Sequence, residues 1–262
     1  MMLWLNGALL PADMARIDPA DRGFTLGDGL FETIRVEQGV PRHLPRHLAR
    51  LRAGCAVLAL PCPWDDATIG TGIADLLGAT GLGAAALRLT LSRGVAARGV
   101  LPQGSVSPTL LITAGPLPAA LPPARMIIAQ STRRNEHSPL SRIKSLNYLD
   151  SILARQEAMR EGADDALLLN GQGLIAEATA ANLFALIGGR LLTPPVADGA
   201  LPGIARALLL EGGMAAESSL PPPALAEAEA VFLINSLGLR AVSAIGGRPV
   251  PLEDTWLDSL SR

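Results

Sequence analysis

Lysine, cysteine and aromatic residues are all scarce in this chain of 262 residues. It has two cysteines, one tyrosine and an aromatic fraction of 3%, and its single lysine is Lys144. Cys55 and Cys62 are too few for a disulfide framework, so we expect reduced thiols, although one bridge between them stays open. No apolar run approaches the roughly 20 residues of a membrane-spanning helix. The apolar start is broken by Asn6-Gly7 too early for a signal peptide, so we expect a cytoplasmic protein.

A large excess of charge of one sign is also missing. The 22 basic and 24 acidic residues give a formal net charge of −2, so we expect no nucleic-acid or membrane partner. A hydrophobic fraction of 49% is typical of a globular protein. His43 and His47 have a metal-like spacing, but Pro45 lies between them and no third ligand is near. No metal is therefore expected.

Turn residues and hydrophobic periodicity predict a mixed α/β (α+β) chain. Tight hairpin turns are predicted at Asn6-Gly7, Asn170-Gly171 and Gly188-Gly189. Helices are predicted over 44–60, 69–77, 145–160 and 205–210, and strands over 30–36, 87–92, 109–114, 126–131, 230–234 and 241–245, with a closing helix after the last strand. In the third helix, apolar spacing predicts a buried stripe of Leu149, Ile152, Leu153 and Met159.

Proline marks the boundary between two predicted domains. Residues 115–123 contain four prolines, which forbid a helix and favour an extended linker. We therefore predict a small N-terminal α/β domain over 1–114, a linker over 115–124 and a larger C-terminal domain over 125–262.

Three features further along the chain belong together chemically. Lys144 stands at the start of a predicted helix, Glu177 lies between two apolar runs, and Gly203 opens a helix directly after Pro202. A lysine can form a Schiff base with an aldehyde, and a carboxylate can keep a ring nitrogen protonated. A helix N-terminus can bind a phosphate. Pyridoxal phosphate chemistry needs all three, whereas each alone could be an ordinary surface charge or helix start.

These residues, in this order, resemble the class-IV aminotransferase family, the fold-type-IV pyridoxal-phosphate enzymes. The resemblance rests on the runs 21–33, 93–99, 177–184 and 201–206, and it covers nearly the whole chain. Ala178 and Ala205 depart from the family pattern, which usually has Gly and Thr there. The resemblance implies a two-domain fold with its site at the lobe and dimer interface, pyridoxal 5′-phosphate as the cofactor, and a homodimer.

The resemblance also implies roles for individual residues. Lys144 and Glu177 would be catalytic. The residues expected to bind the cofactor are Lys144, Arg50, Glu177, Tyr148, Leu201, Ile204, Ala205, Ser236 and Leu237. The residues expected to bind substrate are Phe31, Arg93 and Arg98, with Arg98 reaching a substrate carboxylate across the dimer interface. For Arg50, a solvated helix arginine is the alternative interpretation.

Two reactions remain open within the family. One moves an amino group between an amino acid or amine and a 2-oxo acid, with D-amino acids favoured and branched-chain amino acids or (R)-amines as further donors. The other, 4-amino-4-deoxychorismate lyase, releases 4-aminobenzoate and pyruvate. We expect the aminotransferase, because the lyase needs a substrate-specific proton donor that the sequence does not identify. A non-catalytic cofactor-binding protein is disfavoured by the presence of both Lys144 and Glu177.

Overall fold

A computed structural model describes residues 1–102, 104 and 106–252 of the chain. These residues divide into two compact units, each with its own sheet. The first unit comprises Met1–Pro118 and Ile143–Asn147, and the second comprises Ala119–Arg142 and the chain from Tyr148 onward. Helices and strands occur in both units, so the predicted mixed α/β class is confirmed.

The first unit is an antiparallel sheet with helices inserted between its strands. Its strands are β1 (Met2–Leu5), β2 (Ala8–Pro11), β3 (Gly29–Glu37), β4 (Val40–Pro41), β5 (Ala85–Val95) and β6 (Ser107–Pro116). Its helices are α1 (Arg22–Leu26), α2 (Leu44–Leu58) and α3 (Asp66–Thr80). The six strands described here lie in the order β2-β1-β6-β5-β3-β4.

One face of this sheet forms the core with α2 and α3. Alternation along β3 puts Leu30, Ile34 and Val36 on that face, all at most 2% exposed. Helix α3 approaches the sheet closely at Gly72, where a Cβ atom would stand 2.6 Å from the indole of Trp4. Glu32 shares the buried face with these apolar residues, so its carboxylate must find partners inside the unit.

The second unit is a mixed sheet. Its strands are β7 (Ala124–Ile128), β8 (Asp165–Leu169), β9 (Ile175–Ala178), β10 (Asn182–Ile187), β11 (Arg190–Thr193), β12 (Ala216–Glu217), β13 (Ala230–Asn235), β14 (Gly238–Ile245) and β15 (Arg248–Pro249). Its helices are α4 (Leu149–Arg160) and α5 (Ile204–Glu211), with 3-10 turns at Pro139–Arg142, Val196–Asp198 and Pro222–Glu227. Within the described residues the strand order is β12-β11-β10-β13-β14-β7-β8-β9, and β15 pairs with β14.

Four strands of the second unit, β8, β9, β10 and β13, are buried on both faces. Strand β8 has no exposed position, and β10 and β13 have at most one each that is not buried. The sequences of such strands are continuous apolar runs, without the alternation of apolar and polar residues seen in half-exposed strands. Phe184 and Phe232, directly opposite each other on β10 and β13, are at most 1% exposed.

The buried stripe predicted for the helix over 145–160, which corresponds to α4, is wrong. Leu149, Ile152, Leu153 and Met159 are between 46% and 73% exposed. The helix turns Ala154, Glu157 and Ala158 inward instead. Glu157 accepts hydrogen bonds from the backbone N–H groups of Gln130 (2.8 Å) and Ser131 (3.0 Å) after β7, and two alanines allow close approach to the sheet. Satisfying these backbone donors therefore sets the inward face.

The segment before this helix joins the first unit rather than the second. Residues 145–147 were expected to be helical, but Ser145 pairs with Leu30 of β3. The N–H of Leu146 donates to the carbonyl of Gly29 (3.0 Å), which continues the pairing. Helix α4 consequently begins at Leu149. Ile143–Asn147 belong to the first unit, although the range predicted for the C-terminal domain, 125–262, included them.

Two further observations concern the chain as a whole. The closing helix predicted after the strand over 241–245 is not found in residues 246–252, which form a turn, β15 and irregular chain, and residues beyond 252 lie outside the described ranges. No helix in the described ranges is both long and apolar enough to cross a membrane.

Candidate active site

Lys144 is held in the first unit by its own backbone. Its carbonyl accepts a hydrogen bond from the N–H of Phe31 (2.9 Å), and its neighbour Ile143 is buried in the core of the unit. Strand pairing therefore fixes the main chain on which the lysine side chain is mounted. The side chain itself is only partly buried.

The Lys144 amine lies over an aromatic ring. Its Nζ atom is 4.3 Å from the ring centroid of Phe31, and the guanidinium carbon of Arg88 lies 3.9 Å from the same centroid. Both distances are within cation–π range. Two residues that the sequence placed in the site, Lys144 and Phe31, are thus in direct contact, with Arg88 as a neighbour that the sequence did not indicate.

Arg50, a predicted phosphate ligand, is paired with a buried carboxylate. Its Nε and Nη2 atoms donate to the two oxygens of Glu32 at 2.8 and 2.6 Å. His47 Nδ1 lies 2.7 Å from Oε2 of Glu32, and both His47 and Glu32 are at most 2% exposed. Burial raises the pKa of Glu32, but the hydrogen bonds from Arg50 and His47 outweigh burial and hold that pKa below its usual value. The guanidinium is therefore oriented in advance, while phosphate binding by Arg50 stays a prediction.

The sequence had indicated that Arg93 lies in a loop, but it lies in strand β5. Strand β5 extends to Val95, and Arg93 is 6% exposed on its buried side. Its guanidinium donates to Asp28 Oδ2 (2.8 Å) and to the carbonyls of Leu58 (2.8 Å) and Ala59 (2.9 Å). Each of its side-chain nitrogens thus has a partner within the unit, and the substrate contact of Arg93 stays a prediction.

Arg98 keeps the position that the sequence predicted. It lies after the end of β5, in irregular chain, and its side chain is exposed. An exposed guanidinium can bind a carboxylate with two parallel hydrogen bonds. That role is still a prediction.

Glu177 is bound by Arg134 and by a backbone amide in the second unit. Its Oε1 atom lies 3.1 Å from Nε of Arg134, and its Oε2 accepts the backbone N–H of Leu201 at 3.0 Å. Arg134 is itself held by the carbonyls of Gly199 (3.2 Å) and Ser141 (3.0 Å). The carboxylate is 9% exposed, so it is an oriented and almost fully buried charge. The sequence indicated Glu177 and Leu201 but gave no sign of Arg134.

The start of α5 is shaped by a close contact at Gly203. A Cβ atom on Gly203 would lie 2.1 Å from Oδ1 of Asn182, so any other residue here would displace the Asn182 side chain. Asn182 donates from Nδ2 to the carbonyl of Leu201 (2.9 Å), which fixes the chain leading into the helix. The first amides, those of Ile204 and Ala205, precede any intrahelical hydrogen bond and point along the positive end of the helix.

The remaining predicted cofactor residues also lie in the second unit. Ser236 and Leu237 follow β13, where the N–H of Leu237 donates to Oδ1 of Asn235 (2.9 Å) and a turn leads into β14. Tyr148 precedes α4, and its carbonyl accepts the N–H of Ile152 (2.9 Å). Their contacts with a cofactor stay predictions.

The donor set of the two units suits pyridoxal phosphate. The first unit supplies the chain's single primary amine on a side chain and an oriented arginine, Arg50. The second supplies a buried carboxylate, Glu177, and a helix start with amides available to an anion. An aldehyde, a phosphate and a ring nitrogen each find a chemically matched group among these residues.

The family is shown directly by comparison. Residues 29–245 match the model for the family described as amino-transferase class IV, and the chain belongs to this family. The family resemblance stated from the sequence is therefore confirmed, as is the expected cofactor, because enzymes of this family depend on pyridoxal phosphate.

Individual relatives represent more than one activity. The chain is 34% identical over 213 residues to a provisionally named branched-chain-amino-acid aminotransferase of Methanocaldococcus jannaschii, which covers 80% of this chain and 74% of the relative. It is 26% identical over 256 residues to the D-alanine aminotransferase of Bacillus licheniformis, covering 95% of this chain and 90% of the relative. The solved 4-amino-4-deoxychorismate lyase from Pseudomonas aeruginosa is 33% identical, with a TM-score of 0.84 over 98% of this chain and 97% of that chain.

Proposed function

We propose that this protein is a pyridoxal-phosphate-dependent aminotransferase. It would move an amino group from an amino acid or amine to a 2-oxo acid, with D-amino acids as the favoured donors and branched-chain amino acids or (R)-amines as further ones. The observation that carries the proposal is the fixed position of the chain's only lysine, whose backbone is paired with β3 and whose amine lies over Phe31.

Lys144 and Glu177 would have different roles in such a reaction. When bound, pyridoxal phosphate withdraws electrons from the substrate carbon that loses its proton. Lys144 would hold the cofactor covalently through Nζ, and the same amine, once released, would accept and return the substrate proton. Glu177 would keep a proton on the ring nitrogen, because Arg134 and the Leu201 N–H hold its carboxylate in one orientation.

Two groups would bind the phosphate. The amides of Ile204 and Ala205 at the start of α5 offer hydrogen bonds supported by the helix dipole. Arg50, oriented by Glu32, adds a charge-assisted contact. With Ala205 in place of the family's usual threonine, this position offers its amide without a hydroxyl.

The assembly we propose is a homodimer. Arg98 would extend from one protomer to the substrate carboxylate in the partner's site, as the family resemblance implies. The exposed position of Arg98 after β5 is consistent with this arrangement.

The lyase is a second candidate, and one observation favours it. The Pseudomonas aeruginosa lyase matches this chain over nearly the full length of both proteins. The two reactions differ in what they consume, because transamination needs a 2-oxo acid acceptor and the lyase does not.

Acceptor dependence therefore tests the proposal. Purified holoenzyme is incubated with D-alanine, L-leucine, (R)-1-phenylethylamine or aminodeoxychorismate, each with and without 2-oxoglutarate, and products are quantified by chromatography. We expect equal formation of oxidised donor and glutamate, only when 2-oxoglutarate is present. Release of 4-aminobenzoate and pyruvate without an acceptor, and no transfer from the other donors, would establish the lyase instead. The variant Lys144→Arg serves as the matched inactive control.

A further inference from the structure

The loop that carries Arg98 is attached to the first unit by one buried arginine. Arg22 donates from Nη1 to the carbonyl of Gly99 (2.8 Å) and from Nη2 to the carbonyl of Val100 (2.7 Å). These two residues directly follow Arg98 in the chain. Arg22 is 5% exposed, whereas Arg98 is exposed, so a fixed guanidinium lies beneath the loop and a solvent-accessible one lies on it.

Arg22 is in turn held by a carboxylate that it shares with Arg93. Oδ2 of Asp28 accepts from Nε of Arg22 and from Nε of Arg93, both at 2.8 Å. Arg93 continues to the carbonyls of Leu58 and Ala59 at the end of α2. The result is a continuous set of hydrogen bonds from the end of α2, through Arg93, Asp28 and Arg22, to the loop.

This arrangement is costly for a role in packing alone. Two buried guanidinium groups share one carboxylate, and such groups are often replaceable by apolar residues without loss of stability. All six guanidinium nitrogens of Arg22 and Arg93 nevertheless have a partner at 2.7–2.9 Å. Burial raises the pKa of Asp28, but the bonds from Arg93 and Arg22 outweigh it and leave that pKa below its usual value, so the carboxylate stays ionised at neutral pH.

We propose that Arg22, Asp28 and Arg93 are positioning residues for Arg98. By fixing the main chain at Gly99 and Val100, they hold the Arg98 guanidinium in one place and so set the affinity for substrates that carry a carboxylate. The substrate part of this inference rests on the proposed function, whereas the attachment of the loop does not.

The attachment is tested by proteolysis of the intact holoenzyme. Trypsin cleaves after Arg98, and the rate of that cut, followed by mass spectrometry of the fragments, reports how often the loop opens. In Arg22→Met, which loses both carbonyl bonds and the Asp28 pair, we expect the cut to be faster by about tenfold. Arg22→Lys keeps a positive charge that can pair with Asp28, but its amine cannot donate to both carbonyls as the planar guanidinium does. We therefore expect an intermediate rate.

Arg52→Met is the matched control. Arg52 lies in the same unit and also combines one ion pair, with Asp66, with bonds to the carbonyls of Cys62 and Trp64. Among the described residues, none of these Arg52 bonds reaches the loop that carries Arg98. We expect its cleavage rate after Arg98 to stay within about twofold of the wild-type rate.

The substrate part is tested by kinetics on the same variants. In Arg22→Met we expect the Michaelis constant for D-alanine or 2-oxoglutarate to rise about tenfold. At saturating 2-oxo acid, the Michaelis constant for (R)-1-phenylethylamine, which has no carboxylate, should change by less than about twofold. A general loss of folding would change the kinetic constants for all donors together. It would also lower the melting temperature of the cofactor-bound protein. If Arg22→Met proves insoluble, Arg22→Lys provides the same comparison.

The outcomes separate this inference from the proposed function. An unchanged cleavage rate in both Arg22 variants overturns the inference, whatever the activity. Faster cleavage with equal changes for acidic and non-acidic donors also overturns it, because the loop would then be attached without positioning Arg98. Absence of transfer by the wild-type protein overturns the proposed function, while the proteolysis still decides the attachment of the loop.

Discussion

Arg134 and Glu177 form an ion pair inside the second unit, with Nε of Arg134 3.1 Å from Oε1 of Glu177. The pair gives the carboxylate a fixed direction, since its second oxygen accepts the N–H of Leu201. A buried carboxylate that serves a ring nitrogen must be correctly oriented, and the arginine partner together with the Leu201 N–H supplies that orientation.

Glu177→Gln separates the charge of this side chain from its shape. The amide can still contact a ring nitrogen but cannot stabilise a positive charge on it, so we expect turnover to fall by about 10²–10³. Cofactor affinity, measured by titrating apoprotein with pyridoxal phosphate, should fall less. Arg134→Gln, which leaves the carboxylate in place, should lower turnover by a smaller factor. If Glu177→Gln has wild-type kinetics, the Arg134 pair is purely structural.

The single lysine makes the covalent attachment of the cofactor unusually easy to locate. Reduction of the holoprotein with borohydride should place one pyridoxyl group on Lys144, found by peptide mapping. Lys144→Arg keeps the charge over Phe31 but should carry no label. Its turnover should fall by a factor on the order of 10⁴ or more, because nucleophile and proton carrier are lost together.

A label found only on the N-terminal amine would contradict this prediction. So would near-normal turnover in Lys144→Arg, because the chain has no second lysine to replace it.

Glu32 should make the stability of the protein depend on pH in the acid range. Its pKa in the folded protein is below the ordinary value of 4.5, so the ionised carboxylate stabilises the fold above that value. This contribution fades as the pH falls from 4.5 towards the folded pKa. In Glu32→Gln, the free energy of unfolding measured with urea at pH 7 should be lower by about 3–5 kcal/mol, because Arg50 and His47 lose their shared charged partner.

The control for this effect is Glu37→Gln, at a partly exposed ion pair with Arg35 and Arg42. A surface pair of this kind contributes about 0–1 kcal/mol. If the wild-type protein and Glu32→Gln lose stability equally as the pH falls from 4.5 to about 3, Glu32 is not the titrating group.

Two of the three predicted hairpins could be predicted from sequence because their turns need unusual backbone angles. Asn6 and Gly7 have φ of 52° and 101°, and Gly188 and Gly189 have 56° and 69°, a region that Gly and Asn tolerate best. Local chemistry thus fixed these elements without help from the rest of the fold.

The polar partners of the site could not be predicted in the same way. Arg134 is far from Glu177 in the chain, and only the tertiary fold brings the two together. Glu32 did leave a signal, because a carboxylate alternating with Leu30 and Ile34 on a buried strand face requires an internal partner. In α4, apolar spacing predicted the wrong face, because the backbone donors satisfied by Glu157 decided which side turned inward.

Arg98 supplies the last prediction, which concerns assembly. If its guanidinium binds the substrate carboxylate, Arg98→Ala should weaken the binding of acidic substrates. The expected loss is about 1.5–3 kcal/mol, the energy of a charge-assisted hydrogen bond. An amine without a carboxylate should bind as before. Steady-state Michaelis constants for D-alanine and (R)-1-phenylethylamine measure the difference.

Subunit mixing then decides whether Arg98 acts within its own protomer. Lys144→Ala subunits lack the amine and Arg98→Ala subunits lack the guanidinium, so each homodimer is impaired. If Arg98 reaches the partner's site, a hybrid dimer has one site with both residues intact, and a random mixture should recover about a quarter of wild-type activity towards acidic substrates. Mixing Lys144→Ala with Lys144→Arg is the control, because no hybrid then contains a lysine. Absence of recovery in a hybrid verified by native mass spectrometry, or full activity in a monomer, would show that Arg98 does not act across a dimer interface.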